Sequence, residues 1–277
     1  MNCMTNLEVL DDYCFGQFLE CIHQLTGITI AATRKTMVQG RLRKRIRALC
    51  LPTYISYLDF VRSSKEEQEN FIDLVTTNET SFFRTPRIWE YIEKRFLPKW
   101  FEAHKNEVFL AWSSASSSGE EAHSLGILCQ AFKENNKDFR YKIVGTDISQ
   151  EMVTMCKRGE YSGRSIESFR VSRPGLFSAY MESVESSFVV KEEVRSYIHF
   201  HKHNLFNSFK DDCLFDLVLC RNVLIYFTPS DQESVLIKIL ERAKKSSILI
   251  IGESESLSHI RTGFNHMEPL IYSVDSR

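Results

Sequence analysis

A strand, a turn of small residues and a helix follow one another in residues 107–132, and this stretch constrains the fold most. Residues 107–112 are largely apolar and short enough for a buried strand. Residues 113–119 are small, and apolar side chains then recur with helical spacing at 125, 128, 129 and 132. Because a helix N-terminus carries backbone N–H groups without intrahelical partners, the stretch predicts a ligand site at the turn.

Acidic residues give this predicted site its chemistry. Glu120 and Glu121 open the helix, which disfavours a phosphate and favours a ligand that offers hydrogen-bond donors or positive charge. A second strand over residues 141–147 ends at Asp147, where βαβ units usually bind the two hydroxyls of a ribose. The alternative interpretation is that residues 113–118 form only a polar loop and that Asp147 only caps a helix. The glycine fingerprint of nicotinamide-dependent dehydrogenases is absent, which disfavours that class of enzyme.

Length and composition exclude several classes of protein. The 277 residues can bury a sizeable core in one large domain or two ordinary ones. No apolar run approaches the length of a membrane span, and the N-terminus lacks a basic segment followed by an apolar one. We therefore expect a cytoplasmic protein without membrane insertion. The eight cysteines form no Cys-x-x-Cys pair, so we interpret them as reduced core residues and expect no metal site.

The N-terminal part of the chain has helical periodicity and a strong local excess of positive charge. Between Cys21 and Leu58 there are seven Lys/Arg residues and no acid. Such a run is often only a solvated helix surface, but it favours an acidic partner or nucleic acid. Aromatic residues of the kind that single-strand binders use are not interleaved with it, so we expect an acidic protein surface. The residues expected to bind this partner are Arg41, Arg43, Lys44, Arg45 and Arg47.

Two further segments have the composition of a binding site. Residues 76–80 are polar, and Phe82, Phe83 and Arg84 follow them, which is typical of a pocket wall, although a helix cap and core residues would also explain them. Residues 215–220 are largely apolar, which predicts a buried central strand. This strand would deliver residues 221–227 to its carboxyl end, where open α/β sheets bind their ligands.

Five separated blocks of the chain resemble the CheR-type chemotaxis receptor methyltransferases, which are S-adenosylmethionine-dependent protein-glutamate O-methyltransferases. The blocks stand in the right order at residues 76–84, 112–121, 145–148, 215–216 and 220–227. The resemblance implies an α/β fold, with a Rossmann-like class I methyltransferase domain over residues 86–277 and a small inserted β-subdomain at about 185–203. It also implies a preceding all-α domain over residues 1–85.

The resemblance also implies the ligands and the residues that bind them. The cofactor would be S-adenosyl-L-methionine, with S-adenosyl-L-homocysteine as product, and the substrate would be the cytoplasmic helical domain of chemoreceptors rather than nucleic acid. Arg84 and Tyr226 would lie nearest the reacting carboxylate. Residues matching the family's cofactor site are Asn78, Thr80, Arg84, Glu121, Asp147, Asn204, Leu205, Arg221 and Asn222. Glu121 would accept a hydrogen bond from the ribose or face the cofactor's amino group.

The chain departs from the family pattern at two places. Residues 181–194 contain no glycine, so the hairpin that docks a receptor's C-terminal tether peptide in many members is expected to be shortened here. We therefore predict tether-independent engagement of the receptor through the basic helix. Glu253 stands where the family more often has His. Two alternatives stay open, namely a non-catalytic scaffold or regulator of receptor arrays that binds the cofactor, and a methyltransferase acting on RNA or DNA.

Overall fold

The computed structural model of the protein describes residues 9–210 and 212–274, which form two compact units. The helical unit extends to Thr77 and also contains Tyr226–Asp231. The sheet unit contains Asn78–Ile225 and continues from Gln232. Each unit has its own hydrophobic core.

The loop of residues 78–85 belongs to the sheet unit, whereas the sequence places a domain boundary at residue 85. Two aromatic side chains account for this difference. The Phe82 and Phe83 rings lie 5.0 and 4.9 Å from the ring of Phe169, between centroids, and all three side chains are buried in the core of the sheet unit. Burying these rings ties the loop to the sheet unit, because large aromatic side chains contribute much of a core's stability.

Amphipathic helices build the helical unit, as their apolar spacing predicts. They are α1 (Asp12–Thr26), α2 (Lys35–Ala48), α3 (Tyr54–Ser63) and α4 (Lys65–Val75). The hydroxyls of Thr53 and Ser64 cap α3 and α4 by accepting backbone N–H groups of the first turn. Phe18 of α1 packs between Tyr57 and Phe71, with ring centroids 6.3 and 6.0 Å away.

Two arginines of the basic helix α2 have partners inside the helical unit. Arg45 donates from Nε and Nη2 to the carboxylate of Glu67 at 2.9 and 2.6 Å, and the Tyr57 hydroxyl donates to the same carboxylate at 2.9 Å. Burial raises the pKa of the Glu67 carboxyl, but the hydrogen bonds from Arg45 and Tyr57 lower it more, so the net shift is downward. Arg41 donates to three carbonyls in residues 74–76. Both arginines therefore stabilise the unit to which they belong.

The sheet unit alternates strands and helices. Its strands are β1 (Val108–Ser113), β2 (Arg140–Asp147), β3 (Glu160–Tyr161), β4 (Met181–Val184), β5 (Ser187–Val190), β6 (Ile198–Lys202), β7 (Phe215–Cys220), β8 (Ala243–Ile251), β9 (Phe264–Glu268) and β10 (Ile271–Val274). The helices are α5 (Pro86–Tyr91), α6 (Leu97–Ala103), α7 (Glu120–Asn135), α8 (Gln150–Arg158), α9 (Arg164–Ser172), α10 (Pro174–Tyr180) and α11 (Glu192–Arg195). α12 (Pro229–Leu240) begins in the helical unit and continues into the sheet unit. Ile92–Phe96 forms a π-helical stretch, and Leu224–Tyr226 forms a 3₁₀ turn.

Seven strands form one large sheet in the order β6-β2-β1-β7-β8-β10-β9. The pairs from β6 to β8 are parallel, and β10 is antiparallel to both β8 and β9. The chain runs outward from β1 through β2 on one side and through β7 on the other. This reversal of strand order opens a crevice at the carboxyl ends of β1 and β7, where doubly wound sheets bind ligands. The predicted α/β fold class is confirmed.

A small antiparallel sheet in the order β3-β5-β4 stands apart from the large one. Residues 160–161, 181–184 and 187–190 form it, whereas the sequence places a β-subdomain at about 185–203. β6 belongs instead to the large sheet, where it pairs in parallel with β2. Gly145 of β2 permits this pairing, because a Cβ atom there would lie 2.4 Å from the ring of Phe200.

None of the helices within residues 9–210 and 212–274 combines the length and the apolar character that crossing a membrane requires.

Candidate active site

The turn between β1 and α7 connects the three central strands at their carboxyl ends. Backbone N–H groups of Ser114 and Ser116 donate to the carbonyls of Leu219 on β7 and Thr146 on β2, at 2.9 and 2.8 Å. The predicted strand, turn and helix are therefore confirmed, and the turn lies in the crevice where the strand order reverses.

Asp147 holds the turn from the end of β2. Its Oδ2 accepts the backbone N–H of Ser117 at 2.8 Å, and its Oδ1 accepts that of Ser149 at 3.0 Å. The Ser117 hydroxyl donates to the carbonyl of Asn78 at 2.8 Å, which brings the loop of residues 78–85 to the same place. Asp147 therefore fixes the turn after β1 and the first residues after β2 with one carboxylate.

Backbone strain is concentrated at this site. Ser117 has a φ of 51°, Phe83 of 51° and Thr85 of 65°, all in the left-handed region that non-glycine residues rarely adopt. The strained backbone is held by specific contacts, since the Phe83 N–H donates to the Ser124 hydroxyl at 3.0 Å. Strained residues of this kind cluster at ligand sites, because the surrounding structure must fix them in place.

A buried ion pair crosses the crevice between α7 and the end of β7. Arg221 Nη1 lies 3.0 Å from Glu121 Oε2, and the two residues are 6% and 8% exposed. The Ser113 hydroxyl donates to the other oxygen of Glu121 at 2.8 Å. Glu121 therefore already uses both oxygens within the protein, so a cofactor contact would need one of its remaining lone pairs.

The side chain of Arg221 braces the loop that carries Arg84. Arg221 Nη2 donates to the Arg84 carbonyl at 2.8 Å, and the Trp89 indole donates to the same carbonyl at 2.9 Å. The Arg84 side chain itself is exposed and donates to the carbonyl of Glu79 at 3.2 Å. The backbone of Arg84 is thus fixed, while its guanidinium faces solvent.

The other predicted site residues lie in the following places. Thr80 is half-buried in the loop of residues 78–85, and Leu205 is buried. Asn204 follows His203, whose N–H donates to the Asp147 carbonyl at 2.9 Å. Asn222 is half-buried just after β7 with a φ of 59°.

Tyr226 belongs to the helical unit, where its carbonyl accepts the N–H of Thr29 at 2.7 Å.

Besides Glu121, the first turn of α7 carries the buried ionisable side chains of Glu120 and His123. Burial raises the pKa of the Glu120 carboxyl, which accepts a hydrogen bond from the Ser118 hydroxyl at 2.6 Å. Burial lowers the pKa of His123 to about 3, so the imidazole is neutral at neutral pH. The His123 Nδ1 lies 2.7 Å from the Tyr161 hydroxyl, and both side chains belong to the core.

The chemistry of these groups fits S-adenosylmethionine better than a pyrophosphate cofactor. Asp147 and Glu121 supply carboxylate acceptors, which suit ribose hydroxyls and the positive charge of a sulfonium or ammonium group. The first turn of α7 carries two acids, and these would repel a phosphate. Asp147 at the end of β2 is placed as ribose-binding acids of βαβ units are.

Sequence reasoning singled out neither Ser117 nor Glu255 as a site residue. Ser117 contributes its backbone N–H to Asp147, and a serine-rich turn does not reveal which residue will do this. Glu255 lies beyond the end of β8 and accepts backbone N–H groups from the segment after β7. Its one sequence signal is an acid that closely follows a buried strand, the same signal that identified Asp147.

Comparisons with known proteins agree with this geometry. Residues 15–76 match the family model "CheR methyltransferase, all-alpha domain", and residues 78–272 match "CheR methyltransferase, SAM binding domain". The chain is 30% identical to chemotaxis protein methyltransferase 1 of Pseudomonas aeruginosa, covering 89% of this chain and 91% of the relative. It is also 30% identical to the chemotaxis protein methyltransferase of Salmonella typhimurium (98% and 93% covered) and 29% identical to Cher2 of Pseudomonas putida (88% and 90%). The chain therefore belongs to the CheR methyltransferase family, and its larger domain binds S-adenosylmethionine.

Proposed function

We propose that this protein transfers the methyl group of S-adenosylmethionine to glutamate side chains of chemoreceptors, giving glutamate methyl esters and S-adenosylhomocysteine. The observation that carries the proposal is the pair of buried carboxylates, Asp147 and Glu121, beside the turn between β1 and α7, in a chain whose relatives are named chemotaxis protein methyltransferases. The substrate would be the cytoplasmic helical domain of the receptor, so the cytoplasm stays the predicted location.

Methylation of a glutamate side chain requires little acid–base catalysis from the protein. A glutamate side chain has an ordinary pKa of about 4.3, so at neutral pH it is already an ionised nucleophile and needs no general base. When bound, S-adenosylmethionine supplies a methyl group that its sulfonium has already activated. What the protein must contribute is alignment of the carboxylate with this methyl group and removal of water from the carboxylate.

Arg84 and Tyr226 are the residues proposed to act on the substrate carboxylate. The exposed guanidinium of Arg84 can attract the carboxylate, and the fixed backbone beneath it limits where that charge can lie. The Tyr226 hydroxyl can donate a hydrogen bond to one carboxylate oxygen and leave the other free to attack. Orientation serves the reaction better than a tight ion pair, because a strong pair would weaken the nucleophile.

The proposed cofactor residues differ in what they can contribute. Asp147 and Glu121 offer carboxylate oxygens to the ribose and to positive charge. The residues proposed to complete the site are Asn78, Thr80, Asn204, Leu205 and Asn222. The Arg221 guanidinium has a bracing role instead, because it is buried against Glu121 and the Arg84 carbonyl. Arg221 would therefore meet the cofactor through its backbone.

The receptor is proposed to bind the basic helix α2 without a tether peptide. Lys44 and Arg47 are exposed on this helix, and Arg43 is half-buried. Arg41 and Arg45 contribute less to the surface, because Arg41 binds backbone carbonyls and Arg45 binds Glu67. The proposed contact with acidic receptor helices thus depends mainly on Lys44 and Arg47.

Reversing the two exposed charges tests this surface. We expect the variant Lys44→Glu/Arg47→Glu to lower kcat/KM for a receptor fragment by about 10-fold or more at low salt, because each reversed charge repels an acidic partner. The defect should shrink as salt screens the charges. Cofactor affinity should not change. The control is Lys137→Glu/Lys157→Glu, which reverses two lysines of the sheet unit; an equal loss in that control would contradict the assignment.

A methyl-transfer assay tests the function itself. The protein is incubated with tritium-labelled S-adenosylmethionine and the cytoplasmic helical fragment of a chemoreceptor, and the product is treated with alkali. Glutamate methyl esters release labelled methanol under these conditions, whereas methyl groups on nitrogen stay attached. Cofactor binding without transfer to receptor would favour the scaffold hypothesis, and transfer to RNA alone would favour the nucleic-acid alternative.

A further inference from the structure

The segment that follows β7 is anchored by one carboxylate from beyond the end of β8. Glu255 Oε2 accepts the backbone N–H of Asn222 at 3.0 Å, and its Oε1 accepts that of Leu224 at 2.7 Å. The N–H of Gly252 donates to Oε2 at 2.5 Å. A single side chain thus binds two backbone positions after β7 and one at the end of β8.

This carboxylate is buried in an unusual setting. Glu255 is 9% exposed, and burial raises its pKa, while the backbone hydrogen bonds from Gly252, Asn222 and Leu224 lower it. Throughout the part of the chain that the structure describes, no ion pair to Glu255 is found. Burying a carboxylate in this way is unfavourable unless the hydrogen bonds are well formed, which indicates that the contact is specific.

The backbone that Glu255 binds has a left-handed turn. Asn222 has a φ of 59°, in a region that Asn adopts more readily than most residues other than glycine. The two segments also approach closely, because a Cβ at Gly252 would lie 2.8 Å from both the backbone N and the Nδ2 of Asn222. Glu255 and Gly252 together therefore define where the segment 222–225 lies.

We propose that Glu255 is a positioning residue, which fixes the segment 222–225 that carries the proposed cofactor residue Asn222 and leads along the chain to the proposed substrate residue Tyr226. The proposal rests on the function proposed above, because both roles belong to that reaction. Glu255 touches neither reactant and acts through the backbone N–H groups that it binds. Loss of these bonds leaves the backbone N–H groups of Asn222 and Leu224 without their acceptor and lets the segment shift.

The test compares two isosteric substitutions in the same turn. Glu255→Gln keeps the shape but leaves only one acceptor oxygen, whereas the control Glu253→Gln changes an exposed acid two residues away. Binding of S-adenosylhomocysteine is measured by calorimetry, and methyl transfer by steady-state kinetics, both below the onset of thermal unfolding. We expect Glu255→Gln to raise the Kd about 10-fold and to lower kcat by about 10- to 100-fold, consistent with losing hydrogen bonds to a charged group. Glu253→Gln should change neither quantity.

A merely structural role predicts a different result. In that case Glu255→Gln lowers the melting temperature while Kd and kcat of the folded protein stay at wild-type values, and the proposal is wrong. If Glu255→Gln does not fold, Glu255→Asp is the second variant, since it keeps the charge but shortens the side chain. Unchanged Kd and kcat in Glu255→Asp would overturn the proposal equally. If the wild type transfers no methyl group, the proposed function is wrong. The calorimetric measurement of S-adenosylhomocysteine binding still tests whether Glu255 positions the cofactor residue.

Discussion

Replacing Arg221 by methionine is expected to lower the free energy of unfolding of the sheet unit by about 3–5 kcal/mol, because it leaves the buried Glu121 carboxylate without its partner. The same substitution removes one of the two donors to the Arg84 carbonyl. Urea denaturation followed by tryptophan fluorescence measures the effect. The three tryptophans of the chain, Trp89, Trp100 and Trp112, all lie in the sheet unit, so the signal reports this unit.

An exposed ion pair provides the matched control for Arg221. Arg95 forms a bidentate pair with Glu268 at 2.8 and 2.7 Å, but its side chain is 62% exposed. Arg95→Met should therefore cost less than about 1 kcal/mol. The double variant Glu121→Met/Arg221→Met should recover part of the loss, because it removes both buried charges. Equal effects of Arg221→Met and Arg95→Met would contradict the central role given to the buried pair.

Replacing Asp147 by alanine is expected to weaken binding of S-adenosylhomocysteine by about 100-fold or more. The substitution removes the acceptors proposed for the ribose hydroxyls, and hydrogen bonds to a charged group contribute about 1.5–3 kcal/mol each. It also frees the N–H groups of Ser117 and Ser149, so the turn after β1 loses its anchor. Calorimetric titration of wild type and variant measures the change.

The matched control for Asp147 lies just before the same strand. Asp138 is exposed ahead of β2, at the end opposite to Asp147. Asp138→Ala should leave the Kd for S-adenosylhomocysteine within about twofold of wild type, because surface substitutions away from a site have small effects. Asp147→Ala binding as tightly as wild type would remove the ribose role assigned to Asp147.

Local sequence patterns were sufficient to predict the secondary structure at the centre of the large sheet. The apolar run before residue 113, the small-residue turn and the helical spacing after it predict β1 and α7 correctly. Asp147 could be found because the end of a buried strand in a βαβ unit is recognisable from the chain alone. These predictions succeed because each depends on neighbours within a few residues.

Contacts between distant residues could not be predicted from such patterns. The sequence around the basic helix contains no acid between Cys21 and Leu58, yet Glu67 of α4 pairs with Arg45 across 22 positions of the chain. Arg221 and Glu121 are 100 positions apart, so the resemblance implies a cofactor role for each of them but does not reveal their ion pair. The resemblance implies a β-subdomain that would include residues 198–202, whereas these residues pair with β2, where Gly145 leaves room for Phe200.

The chemical identity of the methylated group tests the central claim most directly. Receptor fragment treated with this protein and S-adenosylmethionine is digested and analysed by mass spectrometry, with a glutamate-to-alanine receptor variant as control. We expect methyl esters on glutamate side chains of the helical fragment, and their loss when those glutamates are replaced. Methylation of another residue type, or an unmodified fragment beside protein that binds S-adenosylhomocysteine normally, would contradict it.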